Sequence, residues 1–336
     1  MSKKSYFLPA LSEFFSVYLP ETRGLSENTI RSYKNVFRLL LEYVHFEKGI
    51  LPEKVEFRHL EKGTVEGWLN WLCAERGCSA KTRNHRLSAL VTFARFALHR
   101  DFNGALTLCS EVEHLPKKRE PKQTEPAHFT LEEMSIVLRL PNSNSKISKR
   151  DKTILSMLYA TGARAQELCD ITFGDIRFGA STTVTLRGKG DKTRTVVIPE
   201  QCASLLKSHM EYSGLKKSAP LQHVFSSQTN EHMTISCLQA IVKKYVCLAK
   251  ELRPDLFRKH YTPHSFRHSI AMHMLESGIP LPVIKTFLGH VSIASTMIYA
   301  SANFELVSKY LKDKNPYADQ NVEVEQESSI MPYFLK

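Results

Sequence analysis

Apolar side chains recur at helical spacing from the start of the chain, first as Phe7, Leu11, Phe14, Phe15 and Tyr18, then as Ile30, Tyr33, Phe37, Leu40 and Leu41. Residues 26–43 therefore predict a helix, with Ser26 as its N-cap. Further helices are expected over 65–74, where Trp68, Leu69, Trp71 and Leu72 cluster, and over 80–98, where Lys81, Arg83, Arg86 and Arg95 interrupt an apolar stripe. Trp68 and Trp71 read as core residues. Residues 1–112 are thus expected to form a small all-helical domain.

Pro116, Pro121 and Pro126 then punctuate a stretch without apolar periodicity, and 113–128 reads as a basic linker. Beyond it, Thr130 and Glu133 make a capping box that opens a second domain over 129–312. Its pattern is mixed. Helical periodicity from 151 to 159 stops at Thr161-Gly162 and resumes through Glu167 and Leu168. Residues 183–187 and 193–198 alternate as strands around Gly188-Lys189-Gly190-Asp191, which predicts a hairpin with a lysine at its tip. Helices are expected again near 200–213, 234–252, 263–277, 281–288, 292–300 and 303–312. The expected fold is mainly α with a small β-hairpin or sheet.

A chain of 336 residues, 42% of them apolar, is long enough for two globular domains and too apolar for a disordered or fibrous protein. No run approaches the roughly 18 to 20 apolar residues of a membrane helix. Seven scattered cysteines without a C-x-x-C pair argue against a disulfide framework and a zinc site. The formal charge of +12 is uneven: residues 129–312 carry 24 Lys and Arg against 14 Asp and Glu, whereas 313–336 carry 2 against 5. A basic body with an acidic tail suits a polyanionic partner, because cations that pair with phosphates release counterions. Lys117, Lys118, Arg119 and Lys122 suit the path of a linker across a phosphate backbone, although a solvated linker explains them as well.

Four local patterns carry candidate chemistry: Thr161-Gly162-Ala163-Arg164 with Glu167, Gly188-Lys189-Gly190, His264-x-x-Arg267, and Leu288-Gly289-His290 followed by Tyr299. Each is common alone, and their order and spacing carry the weight. His264 and Arg267 share one helix face at i and i+3, on a helix that Pro263 can start. Arg164 falls near a helix start after the Gly162 break, where free N–H groups favour an anion. Two guanidiniums suit the charge that builds on a pentavalent phosphorane, a lysine at a hairpin tip can deliver a proton, and a tyrosine can attack. The ordinary alternative is a surface ion pair between Arg164 and Glu167, with the histidines packed elsewhere.

This ordered set resembles the signature of the tyrosine recombinases of the phage-integrase family. The likeness extends over nearly the whole chain, with the first domain similar to the SAM-like core-binding domain and 129–312 to the α+β catalytic domain. The resemblance assigns Arg164, Lys189, His264, Arg267, His290 and Tyr299 as catalytic residues and Glu167 as their support. Ala163 departs from the Leu or Met that often follows Thr-Gly in the family, with no loss of chemistry expected. What the family implies is transesterification: the tyrosine attacks a DNA phosphate, forms a 3′-phosphotyrosyl link and frees a 5′-hydroxyl, with no metal, nucleotide or other cofactor. The implied partner is double-stranded DNA carrying specific recombination sites, gripped in part through Lys81, Arg83, Arg86 and the linker cations. Four protomers would form the synapse, with accessory proteins or partner recombinases, in a bacterial-type cytoplasm on the nucleoid and not at a membrane. The tail 313–336, acidic and then apolar at Ile330, Met331, Phe334 and Leu335, would suit docking on a neighbouring protomer. Integration, excision or transposition of a mobile element and resolution of chromosome dimers all fit the set. A type IB topoisomerase and an inactive DNA-binding protein are the competing readings.

Overall fold

The computed structural model describes residues 6–120, 126–188, 192–215, 219–227 and 229–289. They form two compact units that divide between residues 123 and 124.

The first unit is helical. Helix α1 (Phe7–Glu13) widens into a π-helical stretch, Phe14–Thr22, in which Arg23 N–H reaches back five residues to the Tyr18 carbonyl at 2.9 Å. Pro20 lies inside that stretch and cannot donate to a regular ladder. Helix α2 (Glu27–Lys48) starts after Ser26 and runs a turn past its expected end, stopping where Gly49 adopts φ 65°. Helices α3 (Lys62–Ala74), α4 (Ala80–Leu98) and α5 (Phe102–Glu113) follow. Trp68 is fully buried, while Trp71 sits at the edge of the core against Tyr43 and Arg76. Aromatic rings hold the centre: Phe37 and Phe93 meet edge to face at 5.0 Å, and Phe14 meets Phe93 at 5.3 Å.

The second unit opens with α6 (Leu131–Arg139), capped reciprocally by Thr130 and Glu133 as the pattern predicts. Helix α7 (Lys146–Thr161) ends at Gly162, and α8 (Ala165–Cys169) starts at once. Strands β1 (Ile176–Arg177), β2 (Thr183–Arg187) and β3 (Thr193–Val197) make an antiparallel sheet in that order, with Thr185 opposite Thr195 and Ile176 opposite Val184. The hairpin is the expected one. The two-residue β1 is too short for an alternation signal. Helices α9 (Glu200–Tyr212), α10 (Ile235–Leu252), α11 (Pro263–Glu276) and α12 (Leu281–Leu288) fall within a residue or so of expectation. The helices expected over 292–300 and 303–312, and the tail 313–336, lie outside the described residues.

Helix α11 is tied to the start of this unit. Phe129 N–H donates to Ser269 Oγ at 2.7 Å, and the Phe129 carbonyl accepts from His273 Nε2 at 3.0 Å. A carbonyl can only accept, so Nε2 carries the proton and Nδ1 accepts from Tyr159 OH at 2.8 Å. The Phe129 ring stacks on Tyr261 at 4.1 Å. Among the described residues no helix is long and apolar enough to cross a membrane.

Candidate active site

The turn between α7 and α8 creates the first half of the site. Gly162 takes the left-handed conformation at φ 57°, where a Cβ would also stand 2.9 Å from Leu288 Cδ2 and 3.2 Å from Ile270 Cγ2. Only glycine fits both the dihedral and the space. Two residues later, Arg164 is the N-cap of α8 with extended backbone. Its own N–H donates to Glu167 Oε2 at 2.9 Å, and its Nη1 donates to Glu167 Oε1 at 2.5 Å. The free N–H expected there for an anion is therefore taken by Glu167.

The pairing of Arg164 with Glu167 is not a surface ion pair. The Glu167 side chain is 3% exposed, whereas that of Arg164 is 40% exposed, so the carboxylate lies beneath and the guanidinium faces out. Burial by itself raises the Glu167 pKa, but the hydrogen bond and charge of Arg194, with the hydrogen bonds from the Arg164 N–H and guanidinium, outweigh it and hold the group at about 2. Glu167 is thus a fixed anion that aims Arg164.

Arg194 belongs to none of the four sequence patterns. It projects from β3, is 11% exposed, and donates from Nη2 to Glu167 Oε2 at 2.8 Å. Its stem passes under the end of α12, where a Cβ on Gly289 would meet Arg194 Cδ at 2.9 Å. A signal existed in the strand, since Arg194 shares the inward face of β3 with buried Val196 while Thr193, Thr195 and Val197 face solvent. An inward arginine in an alternating strand calls for a buried acid.

Helix α11 supplies the second half. Pro263 occupies its first turn and Thr262 caps it, accepting Ser265 into a reciprocal pair through Thr262 N–H to Ser265 Oγ at 3.1 Å. Arg267 is 1% exposed, and its Nη1 and Nη2 donate to the carbonyls of Gly162 at 2.7 Å and Leu288 at 2.6 Å. Both carbonyls end helices, so two negative helix termini hold the cation. His264, one turn earlier, exposes part of its ring and meets His268 edge to face at 4.9 Å. Partial burial lowers its pKa, the charges of Arg267 and Arg164 lower it further, and Glu167 opposes them. The imidazole is consequently neutral at pH 7.

Arg164, Glu167, His264 and Arg267 are therefore brought into one electrostatic neighbourhood from sequence positions about a hundred residues apart. The hairpin reaches the same place: a Cβ on Gly188 would lie 3.2 Å from Glu167 Oε1 and 3.7 Å from Arg164 Nη1. Lys189, His290 and Tyr299 lie outside the described residues, although Gly188 and Gly289 are the neighbours in sequence of the first two.

The expected DNA-contact residues divide. Lys81, Lys117, Lys118 and Arg119 are exposed, Arg86 is half-buried with Nη1 2.8 Å from Cys78 Sγ, and Lys122 lies outside the described residues. Arg83 corrects the expectation. It is 5% exposed and its Nη1 donates to the Pro116 carbonyl at 3.1 Å, because its place on α4 faces inward.

Comparison with known proteins agrees with this architecture. Residues 128–305 match the phage integrase family, and residues 12–101 match the phage integrase N-terminal SAM-like domain. The tyrosine recombinase XerD of Chlamydia trachomatis is 31% identical, covering 92% of this chain and 97% of that protein. Among solved structures, the XerH recombinase in a post-cleavage complex with palindromic difH superposes with a TM-score of 0.68 at 19% identity, over 91% of this chain and 88% of that one. The Tn1549 transposon integrase bound to transposon right end DNA gives 0.63 at 18% identity, over 88% and 98%. With both family domains matched and a relative 31% identical along nearly its whole length, this chain belongs to the phage integrase family of tyrosine-type site-specific DNA recombinases.

Proposed function

We propose that the protein cuts and rejoins DNA at its own recombination sites with Tyr299 as nucleophile. The observation that carries the reading is the pair of arginines held in one place by different means, Arg164 by buried Glu167 and Arg267 by two helix-end carbonyls. Guanidiniums keep their charge at any working pH and match the fork of phosphate oxygens. Fixed before the substrate arrives, they stabilise the charge that grows on the non-bridging oxygens without reorganising.

Tyr299 attacks the phosphorus, the P–O bond to the 5′-oxygen breaks, and a 3′-phosphotyrosyl link forms. Neutral His264, with His290, handles the phenol proton, and Lys189 protonates the departing 5′-oxygen. A phenol of ordinary pKa near 10 needs this cationic surrounding to react at neutral pH. The 5′-hydroxyl of a second strand reverses the step and reseals DNA with no net loss of phosphodiester bonds. Residues 1–112 serve as the core-binding domain, 113–128 as the linker and 129–312 as the catalytic domain, with four copies acting on two duplexes. The reaction would serve integration, excision or transposition of a mobile element, on nucleoid DNA in a bacterial-type cytoplasm.

Covalent trapping tests the reading. Nicked duplexes from the neighbouring genome are mixed with protein in EDTA, denatured in SDS, and any attached DNA is sequenced. An adduct is expected with the native chain and none with Tyr299→Phe, at nearly unchanged DNA affinity. An adduct that persists in Tyr299→Phe refutes the assignment.

A further inference from the structure

Arg83 and Asn84 are neighbouring polar residues on α4 that both turn inward, and the catalytic centre uses neither. Arg83 is 5% exposed and Asn84 7% exposed. Their partners lie on the segment that leaves α5. The Asn84 amide forms a closed pair with one residue: Nδ2 donates to the Lys118 carbonyl at 2.8 Å, and Oδ1 accepts from Lys118 N–H at 2.9 Å. Nδ2 also approaches Glu120 Oε1 at 3.4 Å, and Arg83 Nη1 donates to the Pro116 carbonyl at 3.1 Å. Residues 116–120 have neither helix nor strand, so these side chains do for them what a ladder does for a strand.

The consequence concerns charge. Lys117, Lys118 and Arg119 are exposed on this clamped segment, and Lys81 is exposed one helical turn before Asn84. Lys118 Nζ also lies 3.8 Å from Cys73 Sγ at the end of α3, so even its side chain follows the domain surface. Three consecutive cations that a free linker would scatter are thus held on a segment tied to α4, the helix that also carries exposed Lys81.

We propose that Arg83 and Asn84 are positioning residues that clamp the root of the linker, so that Lys117, Lys118 and Arg119 join Lys81 in one preordered strip for the DNA phosphate backbone. The proposal rests on the DNA-binding reading above. The physical effect is entropic: a segment ordered before binding need not be ordered during it. The clamp therefore sets affinity, while the number of phosphates neutralised sets the salt dependence.

Two measurements on the full chain test this. In the first, limited trypsin digestion follows cleavage after Lys117, Lys118 and Arg119, with thermal melting as a check on folding. Asn84→Ala should cut there at least about tenfold faster than the native chain. In the second, affinity for a labelled mixed-sequence duplex is measured against salt. Asn84→Ala should bind about tenfold more weakly with an unchanged log–log slope, whereas Lys117→Ala and Lys118→Ala should each flatten the slope by about 0.9. Arg83→Met keeps the buried stem, loses the bond to Pro116, and should behave like Asn84→Ala even if the alanine variant fails to fold.

Unaltered tryptic cutting in both variants overturns the clamp. So does native affinity in a variant whose linker root is cut faster. A flattened slope in Arg83→Met shows that Arg83 itself meets phosphate, which also overturns it. Absence of duplex binding by the native chain, with the tryptic difference intact, instead refutes the DNA-binding reading and leaves the clamp standing.

Discussion

Replacing Glu167 with Gln tests the electrostatic centre of the site. The glutamate is buried, with Oε1 on Arg164 Nη1 and Oε2 shared between Arg164 N–H and Arg194 Nη2. Gln can present one oxygen to the shared pair of donors, but its amide nitrogen then faces the Arg164 guanidinium, donor against donor. In charge, Gln mimics the protonated acid. A carboxylate held at about 2 instead of its ordinary 4.5 contributes about 3 kcal/mol to folding at neutral pH. Because the folded value is the depressed one, that contribution is complete above about 4.5 and is lost as the pH falls toward 2. Urea denaturation should therefore show Glu167→Gln destabilised by about 3 kcal/mol at pH 7 and by only about 1 kcal/mol at pH 3. Strand cleavage in the trapping assay should fall at least about tenfold, since Arg164 loses its aim. A stability gap that is the same at both pH values, or below about 0.5 kcal/mol at pH 7, would refute the argument that the depressed carboxylate holds this site together.

Two further outcomes follow from the geometry. Gly162→Ala places a Cβ 2.9 Å from Leu288 Cδ2 at φ 57°, and should cost about 2 kcal/mol or more in urea denaturation while loosening Arg267; a native-like midpoint would show that the turn relaxes freely. His264 must be neutral to accept a proton and its pKa is lowered, chiefly by burial and then by Arg267 and Arg164, so the cleavage rate should fall only below pH 6.5. An acid limb centred above 6.5, or one that survives in His264→Asn, would remove His264 from that role.

Much of this protein was legible in one dimension. Helix α4 over Ala80–Leu98, the box of Thr130 and Glu133, the stop at Gly162 and the hairpin of β2 and β3 depend on residues within a turn or two of each other. Periodicity and capping report such local energies directly. The order of Arg164, His264 and Arg267 named the chemistry for the same reason, because residue types and spacing survive without coordinates.

Tertiary structure alone decided what each charge is for. Arg83 and Arg86 stand three apart on one helix and look alike in sequence, yet Arg83 turns inward to the Pro116 carbonyl and Arg86 is only half-buried. Arg194 is one basic residue among 46, and its partnership with Glu167 exists only because β3 packs beside α8. Arg267 is held by carbonyls 105 and 21 residues away, which no local pattern encodes. An arginine's partners are set by which surfaces meet in the fold, and that meeting is governed by burial of apolar faces far from the charge. The chain thus declares its elements and its family through near neighbours, whereas the burial, aim and ionisation of its candidate catalytic groups arise only when distant segments close around them.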